Sequence, residues 1–310
     1  MLASIVLLVF MAGYVAQRGN ICAVTAIDEL VRHRRPHLFV GFLVCAACSL
    51  VAISIGTLAG YDVITCEFGL PATIRPALGG VIYGVGAFVN GRCAFGTAAR
   101  LGSGELPRLA TIGGFLIGAA SVTYPTTPPP VTSVLLGLPH ATRVLVAFTV
   151  TLALLWCLLS LPRASVKSRW RPASAMVAFG LIVGSLAVLA HGWAYTPFFS
   201  GVSPNDATFR RHCVFALALL AGTTVGAIRA GLFAFRLGPL DLWARTAVGG
   251  GIMGVGARLV PGGNDAMLLV GLPLLLPNLV LAYTTMNATL IALALGGRSI
   301  LTRSARRYTS

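Results

Sequence analysis

Two short segments of the chain each combine a cysteine, an arginine and a glycine turn, and these residue types together can bind an anion. Residues 17–22 read Gln-Arg-Gly-Asn-Ile-Cys, and residues 90–96 read Asn-Gly-Arg-Cys-Ala-Phe-Gly. Each segment follows an apolar run, at a point where a helix is expected to break. A guanidinium group and a helix N-terminus both favour negative charge nearby.

Three interpretations of Cys22 and Cys93 are open at this level. Arg18 and Arg92 can stabilise a thiolate at the neighbouring cysteine. Alternatively, the arginines attract an anionic substrate while each thiol stays neutral and donates a weak hydrogen bond. The third interpretation is structural, because a free cysteine also packs as a small buried hydrophobic residue.

The composition excludes a soluble protein. Of the 310 residues, 56% are hydrophobic and 10% are charged, and the mean hydropathy is +0.86. Soluble domains carry about 25% charged residues, so a cytosolic enzyme, a disordered linker and a disulfide-stapled secreted domain are all excluded. The net charge of +15 does not indicate nucleic-acid binding, because the cations lie in short loops between apolar segments, where membrane proteins carry them. The lipid bilayer is the expected environment.

A helix needs about 20 apolar residues to cross a bilayer. The runs at 76–90 and 246–260 are shorter and rich in glycine, and polar, turn-forming clusters follow them at 90–93 and 261–265. Glycine-interrupted helices of this kind build sites near the bilayer midplane of transporters, although the glycines can also serve close helix packing alone. The predicted spans are 1–17, 38–60, 109–123, 144–161, 173–193, 213–235 and 278–297.

The interrupted segments belong to an internal repeat. Residues 75–87 and 245–257 are identical at nine of thirteen positions, where chance would give about one. We therefore predict a single transmembrane domain, 1–310, with a first pseudo-repeat over 1–140 and a second over 173–310. Residues 141–172 would form a linking helix and a basic cytoplasmic loop. Corresponding interrupted segments in two halves indicate a transport site.

The basic clusters predict the orientation of the two halves. Placing the clusters at 32–35, 163–171 and 298–307 in the cytoplasm makes helix 38–60 run outward and its repeat partner near 208–230 run inward. The predicted fold is an all-α polytopic membrane protein of two inverted repeats, with short broken or re-entrant helices meeting near the bilayer midplane. Arginine far outnumbers lysine, which suggests a bacterial protein, and we expect it in the inner membrane.

These glycine and cysteine patterns resemble the YeeE/YedE family, membrane proteins of the sulfur-transport class that includes the thiosulfate transporters. The resemblance covers most of the chain. It rests on residues 17–22, on the glycines of 79–86 followed by Gly91-Arg92-Cys93 and Gly96, and on the repeat from Gly249 through Gly256-Ala257-Arg258-Leu259 to Gly262.

The resemblance implies an hourglass-like bundle of inverted repeats whose short helices dip to the centre. It also implies that Cys22 and Cys93 line the path, where the terminal sulfur of thiosulfate would accept S–H···S contacts. We expect no cofactor, no metal and no nucleic acid. A cytoplasmic sulfur-accepting protein is a further candidate partner.

The second half departs from the family pattern. Where the thiosulfate transporters have Gly-Gly-Cys-Asn, this chain reads Gly-Gly-Asn-Asp over 262–265, and Gly263 stands where the third cysteine would be. Asp265 adds a carboxylate, which a membrane interior tolerates poorly unless it is paired, and Arg258 and Arg92 are its candidate partners. The change can widen the path, alter the substrate or supply a protonatable group. The full set expected to line the path is Arg18, Cys22, Asn90, Gly91, Arg92, Cys93, Arg258, Gly262, Gly263, Asn264 and Asp265.

The leading hypothesis is a transporter or channel-like conduit for a small sulfur-containing anion, thiosulfate first, with no catalytic residues. One alternative is a membrane sulfurtransferase in which Cys93, activated by Arg92, accepts a sulfane sulfur as a persulfide. No general base is evident near Cys93. The other alternative is a structural or regulatory membrane subunit that transports nothing.

Overall fold

The chain folds as a bundle of helices. The computed structural model describes residues 2–61, 71–122, 133, 135–161, 170–190 and 207–296, and this part of the chain contains no strand. The helices are α1 (Leu2–Gly19), α2 (Ala23–His33), α3 (His37–Leu58), α4 (Ile74–Asn90), α5 (Ala94–Gly102), α6 (Arg108–Ala120), α7 (His140–Ser160), α8 (Pro172–Leu189), α9 (Ala207–Arg229), α10 (Leu240–Leu259), α11 (Asn264–Ala266, continued by a π-helical turn, Met267–Gly271) and α12 (Pro277–Gly296).

Six helical stretches are long and apolar enough to cross a bilayer, which confirms the all-α polytopic membrane fold. They cover 2–33, which α1 and α2 share across a break, 37–58, 140–160, 172–189, 210–229 and 277–296. The predicted span at 109–123 is wrong. Its helix, Arg108–Ala120, has 13 residues and is therefore about 20 Å long, short of the roughly 30 Å of a bilayer core.

The helices of the two halves recur with the spacing of the sequence repeat. Helix α1 covers Leu2–Gly19 and α8 covers Pro172–Leu189, an offset of 170 residues at both ends. The short helices α5 and α11 begin at Ala94 and Asn264, again 170 residues apart. Helix α7 lies between the two sets. The division at 1–140, 141–172 and 173–310 stays a prediction.

Glycines let α4 and α10 cross in direct backbone contact at the centre of the bundle. A Cβ atom added to Gly256 would lie 2.7 Å from the Gly79 carbonyl oxygen, and one added to Gly86 would lie 2.8 Å from the Gly249 carbonyl oxygen. The early part of α4 thus meets the late part of α10, so the two helices run antiparallel. The two contacts exchange under the 170-residue offset, as expected for helices that cross on a two-fold axis.

The substitution Gly256→Ala should destabilise the protein by about 1–3 kcal/mol, the usual cost of overpacking a well-packed site. The added Cβ would lie 2.5 Å from the backbone nitrogen of Tyr83, and backbone at a helix crossing cannot move aside cheaply. Thermal unfolding in detergent measures the change. Gly113→Ala in α6 is the matched control, because a Cβ there meets no atom within 4 Å. Equal melting temperatures for the two variants would contradict the close crossing.

Candidate functional site

The first helix break places Cys22 inside the protein. Helix α1 ends at Gly19, and Asn20 turns the chain with a φ of 52°, in the left-handed region that asparagine tolerates better than most residues. Cys22 then caps the N-terminus of α2, and its side chain is 2% exposed. The break therefore fixes a buried thiol at the start of a helix.

The second break places Cys93 against Cys22. Gly91 ends α4 with a φ of 74°, which glycine adopts without steric cost, and Cys93 caps the N-terminus of α5. The Sγ atoms of Cys93 and Cys22 lie 3.6 Å apart, and the Ala23 backbone N–H donates to Cys93 Sγ over 3.3 Å. Two cysteines that are 71 residues apart in sequence thus form one buried thiol pair.

Gly96, in the first turn of α5, makes room for this pair. A Cβ atom added at this position would lie 2.6 Å from Cys22 Sγ and 3.3 Å from the Arg92 Cβ. Any larger residue would push the Cys22 thiol away from α5. The glycine pattern at the second break therefore serves the thiol pair as well as the turn.

Asn90 holds the second break in shape with every hydrogen bond that its side chain can make. Its amide Nδ2 donates to the Arg92 carbonyl (2.8 Å) and to Thr97 Oγ1 (2.9 Å). Its Oδ1 accepts from Thr111 Oγ1 (2.9 Å) and from Arg108 Nη1 (3.1 Å), which also donates to the Asn90 backbone carbonyl. The carboxamide thereby replaces backbone hydrogen bonds that are lost where α4 ends.

A polar cavity of about 190 Å³ opens beside the thiol pair. Cys22 lines it together with Arg92, whose Nη1 donates to Thr25 Oγ1 over 2.6 Å. The loop after α9 closes the other side. The polar and charged residues of the lining are Gln17, Asn20, Arg92, Arg100, Ser103 and Arg236.

Glu105 organises the arginines around this cavity. Its carboxylate, 8% exposed, lies 2.7 Å from Arg100 Nη1, 3.3 Å from Arg108 Nε and 4.0 Å from Arg236 Nη1. Three guanidinium groups thus share one carboxylate, and Arg92, in the lining of the cavity, adds a fourth positive charge. The cavity is therefore electropositive, and an anion that enters it meets a fixed excess of positive charge.

In the second half, the backbone before α11 has the same conformation as the backbone at the second break, before α5. The residue in the place of Cys93 is Gly263, which has no thiol. Gly263 caps α11 with φ −88° and ψ −165°, close to the −77° and −178° of Cys93. Asn264 is 1% exposed, and its carboxamide makes no hydrogen bond. Asp265 is fully buried and lies near the Tyr83 hydroxyl, which also has no hydrogen-bond partner. Each buried polar group left unpaired costs about 1–3 kcal/mol.

Comparison with known proteins identifies the family. The family described as Sulphur transport matches residues 18–292, most of the chain. This chain belongs to that family, YeeE/YedE. The thiosulfate transporter TsuA of Escherichia coli (strain K12) is 26% identical over 113 residues, which are 36% of this chain and 32% of the relative. The match thus spans about a third of that relative's length, and the family supports a multi-pass transporter of sulfur-containing anions.

The residues that were predicted to line the path fall into two groups, those at the cavity and those elsewhere. Cys22, Cys93 and Arg92 come together at the cavity, with Asn90 and Gly91 holding the break that carries them. The others lie around the first break and the second-half loop. Arg18 ends α1 and has a buried Nε without a hydrogen-bond partner, Arg258 donates through Nε to the Val122 carbonyl (3.4 Å), and Gly262, Gly263, Asn264 and Asp265 are buried at the start of α11.

The pairing of Asp265 with Arg92 or Arg258, and the assignment of all of these residues to a path, stay predictions.

The cluster of Glu105 with Arg100, Arg108 and Arg236 was not predicted from the sequence. Arg236 lies 131 residues beyond Glu105 in sequence, so no local pattern links them. One signal was present, because Glu105 is the single acidic residue between positions 68 and 205 and has arginines at positions 100 and 108. A lone carboxylate flanked by arginines in an apolar chain indicates a buried ion-pair network.

The substitution Glu105→Gln should lower the free energy of unfolding by about 3–5 kcal/mol, because it leaves the buried Arg108 guanidinium without its counter-charge. Thermal or denaturant unfolding of the purified protein measures the loss. The control is Asp28→Asn, which removes a partly exposed i,i+4 pair with Arg32 and should cost less than about 1 kcal/mol. Similar losses for the two variants would show that the Glu105 cluster does not support the site.

Proposed function

We propose that this protein conducts a small sulfur-containing anion, thiosulfate first, across the bacterial inner membrane. The observation that carries the proposal is the buried pair of Cys22 and Cys93 thiols, 3.6 Å apart, beside a cavity lined by arginines. The cavity would collect the anion, and the thiols would receive its terminal sulfur. The E. coli relative is a thiosulfate transporter, which supports the choice of substrate.

The chemistry of the cavity arginines and of the two thiols supports different roles for them in binding the anion. Arg92, Arg100 and Arg236 raise the local concentration of any small anion and offset part of its dehydration. They do not distinguish thiosulfate from sulfate. Neutral thiols are polarisable and weak donors, which suits a terminal sulfur better than a strongly hydrated oxygen. Selectivity for sulfur would therefore reside at Cys22 and Cys93, where the N-terminus of α5 also favours negative charge.

We infer that the two halves are inverted repeats related by an axis in the membrane plane. The antiparallel crossing of α4 and α10, with contacts that exchange under the 170-residue offset, supports this relation. The basic clusters at 32–35, 163–171 and 298–307 would be cytoplasmic, although residues 162–169 and 297–310 lie outside the described residues. In that orientation α9 runs inward, and the arginine-lined cavity beside its end faces the cytoplasm, where a sulfur-accepting protein could collect the substrate.

Uptake of ³⁵S-thiosulfate by bacteria that lack their own sulfate and thiosulfate importers tests the proposal. The chain should confer uptake, and Cys22→Ala or Cys93→Ala should each reduce it about five- to tenfold, the effect of one lost hydrogen bond of about 1–1.5 kcal/mol. Sulfate should compete poorly. The matched control is Cys157→Ala, since Cys157 is an exposed cysteine on α7 and its loss should leave uptake unchanged.

An absence of uptake by well-expressed wild-type protein would exclude thiosulfate and would favour a structural or regulatory membrane subunit. Equal uptake by the wild type and both cysteine variants would remove the thiols from the path.

The sulfurtransferase alternative makes a different prediction for the same cysteines. A persulfide on Cys93 would add about 32 Da, one sulfur atom, to that residue after exposure to thiosulfate. Among the described residues the Cys93 thiol is hydrogen-bonded to the Cys22 thiol and to the Ala23 N–H, and neither is a general base. We therefore expect intact-mass spectrometry to find no adduct, and an adduct on Cys93 would favour the enzyme.

A further inference from the structure

The point where α5 contacts α11 contains two polar side chains that are fully buried and make no hydrogen bond. These are the Tyr83 hydroxyl, on α4, and the Asn264 carboxamide, at the start of α11. Buried polar groups in folded proteins are almost always paired, so these two unpaired groups indicate a water, an ion or a ligand that completes them. The position is also the junction of the two halves, since α5 and α11 begin 170 residues apart.

Backbone donors face the same place. The Tyr83 hydroxyl lies near the backbone N–H groups of Ala94 and Asn264 and near Cys93. Ala94 is the first residue of α5, a nine-residue helix, and the first N–H groups of a helix have no partner within it. A hydroxyl and two amide N–H groups therefore surround one small region beside the thiol pair.

These donors differ in kind from the thiols. O–H and N–H groups are strong hydrogen-bond donors that suit oxygen acceptors, whereas the S–H group is a weak donor on a polarisable atom. The second half also lacks a thiol at Gly263, the backbone counterpart of Cys93. The Cys22 and Cys93 thiols are thus suited to sulfur, and the Tyr83 hydroxyl and the two backbone N–H groups are suited to oxygen.

We propose that Tyr83 and the backbone N–H groups of Ala94 and Asn264 form an oxygen-binding subsite that receives the sulfonyl oxygens of the substrate while Cys22 and Cys93 receive its terminal sulfur. The inference rests on the proposed function and narrows its substrate class. The substrate would be thiosulfate or a small thiosulfonate, which carries both a terminal sulfur and sulfonyl oxygens. Sulfide lacks the oxygens, and sulfate lacks the terminal sulfur. Asp265, the carboxylate near the Tyr83 hydroxyl, would disfavour anions that cannot use these donors.

The test compares two probes in proteoliposomes that take up ³⁵S-thiosulfate. The first readout is the KM for thiosulfate, and the second is the inhibition constant of ethyl xanthate, a small anion whose charged end carries two sulfurs and no oxo group. Tyr83→Phe removes the hydroxyl and keeps the ring. It should raise the KM for thiosulfate about tenfold, the effect of one lost hydrogen bond, and leave the xanthate constant unchanged. Cys22→Ala should weaken both probes.

Tyr14→Phe serves as the control for Tyr83→Phe, and Gly263→Cys serves as a second test variant. Tyr14→Phe changes a tyrosine whose ring packs on Trp170, and both constants should stay as in the wild type. Gly263→Cys adds a thiol on an extended backbone that any residue adopts, and it should tighten xanthate inhibition several-fold.

The outcomes separate the subsite from the proposed function. Three results would overturn the subsite: an unchanged KM for thiosulfate in Tyr83→Phe, equal shifts of both constants in that variant, or an unchanged xanthate inhibition constant in Gly263→Cys. In each case, uptake by the wild type would still support the transporter. Wild-type protein that takes up no thiosulfate and binds no xanthate would overturn the proposed function itself.

Discussion

The interrupted helices depend on polar groups that replace the backbone hydrogen bonds lost at each break. Within a membrane no water is available for this purpose, so irregular backbone must be paired by the protein itself. At the break between α4 and α5, Asn90 uses its whole carboxamide, and Arg108 donates to it while Glu105 holds Arg108 in place. The same carboxylate also holds Arg100 and Arg236 at the cavity. The support of the backbone and the electropositive cavity are therefore one network.

Close packing sets the second constraint on the site. Glycines bring α4 and α10 into backbone contact, and Gly96 lets α5 approach Cys22. None of these glycine positions has room for a methyl group. The N-termini of α2 and α5 and the two thiols therefore lie close together in a small volume. A site of this size accommodates a small anion and excludes an extended substrate. Broken helices of this kind are the elements from which membrane transporters build their binding sites.

The sequence was sufficient for the all-α membrane fold and for selecting the two cysteines that the structure brings together. Long apolar runs predicted α3, α8 and α12, and the repeat predicted that α4 and α10 correspond. Cys22 and Cys93 were identified because each stands beside an arginine and a glycine turn. The 109–123 run misled the prediction, since hydropathy does not reveal where a helix ends, and α6 is too short to span.

The remaining parts of the site depend on contacts between distant segments. Arg236 reaches Glu105 from the loop after α9, and Tyr83 meets the backbone of Asn264 across the junction of the two halves. Tyr83 lies inside the glycine repeat, where its partner position in the second half is Met253, and nothing local distinguishes it from a core aromatic residue. Only the helix arrangement reveals that its hydroxyl is buried without a partner.

Protection of Cys22 from alkylation measures most directly whether a sulfur-containing anion sits at the Cys22–Cys93 pair. Membranes that contain the protein would be treated with N-ethylmaleimide, with and without thiosulfate, and the modification of each cysteine followed by mass spectrometry of the digested protein. Thiosulfate should slow the modification of Cys22, sulfate at the same concentration should not, and the exposed Cys157 should react equally in all samples. Equal modification of Cys22 with thiosulfate, with sulfate and without either would contradict the account.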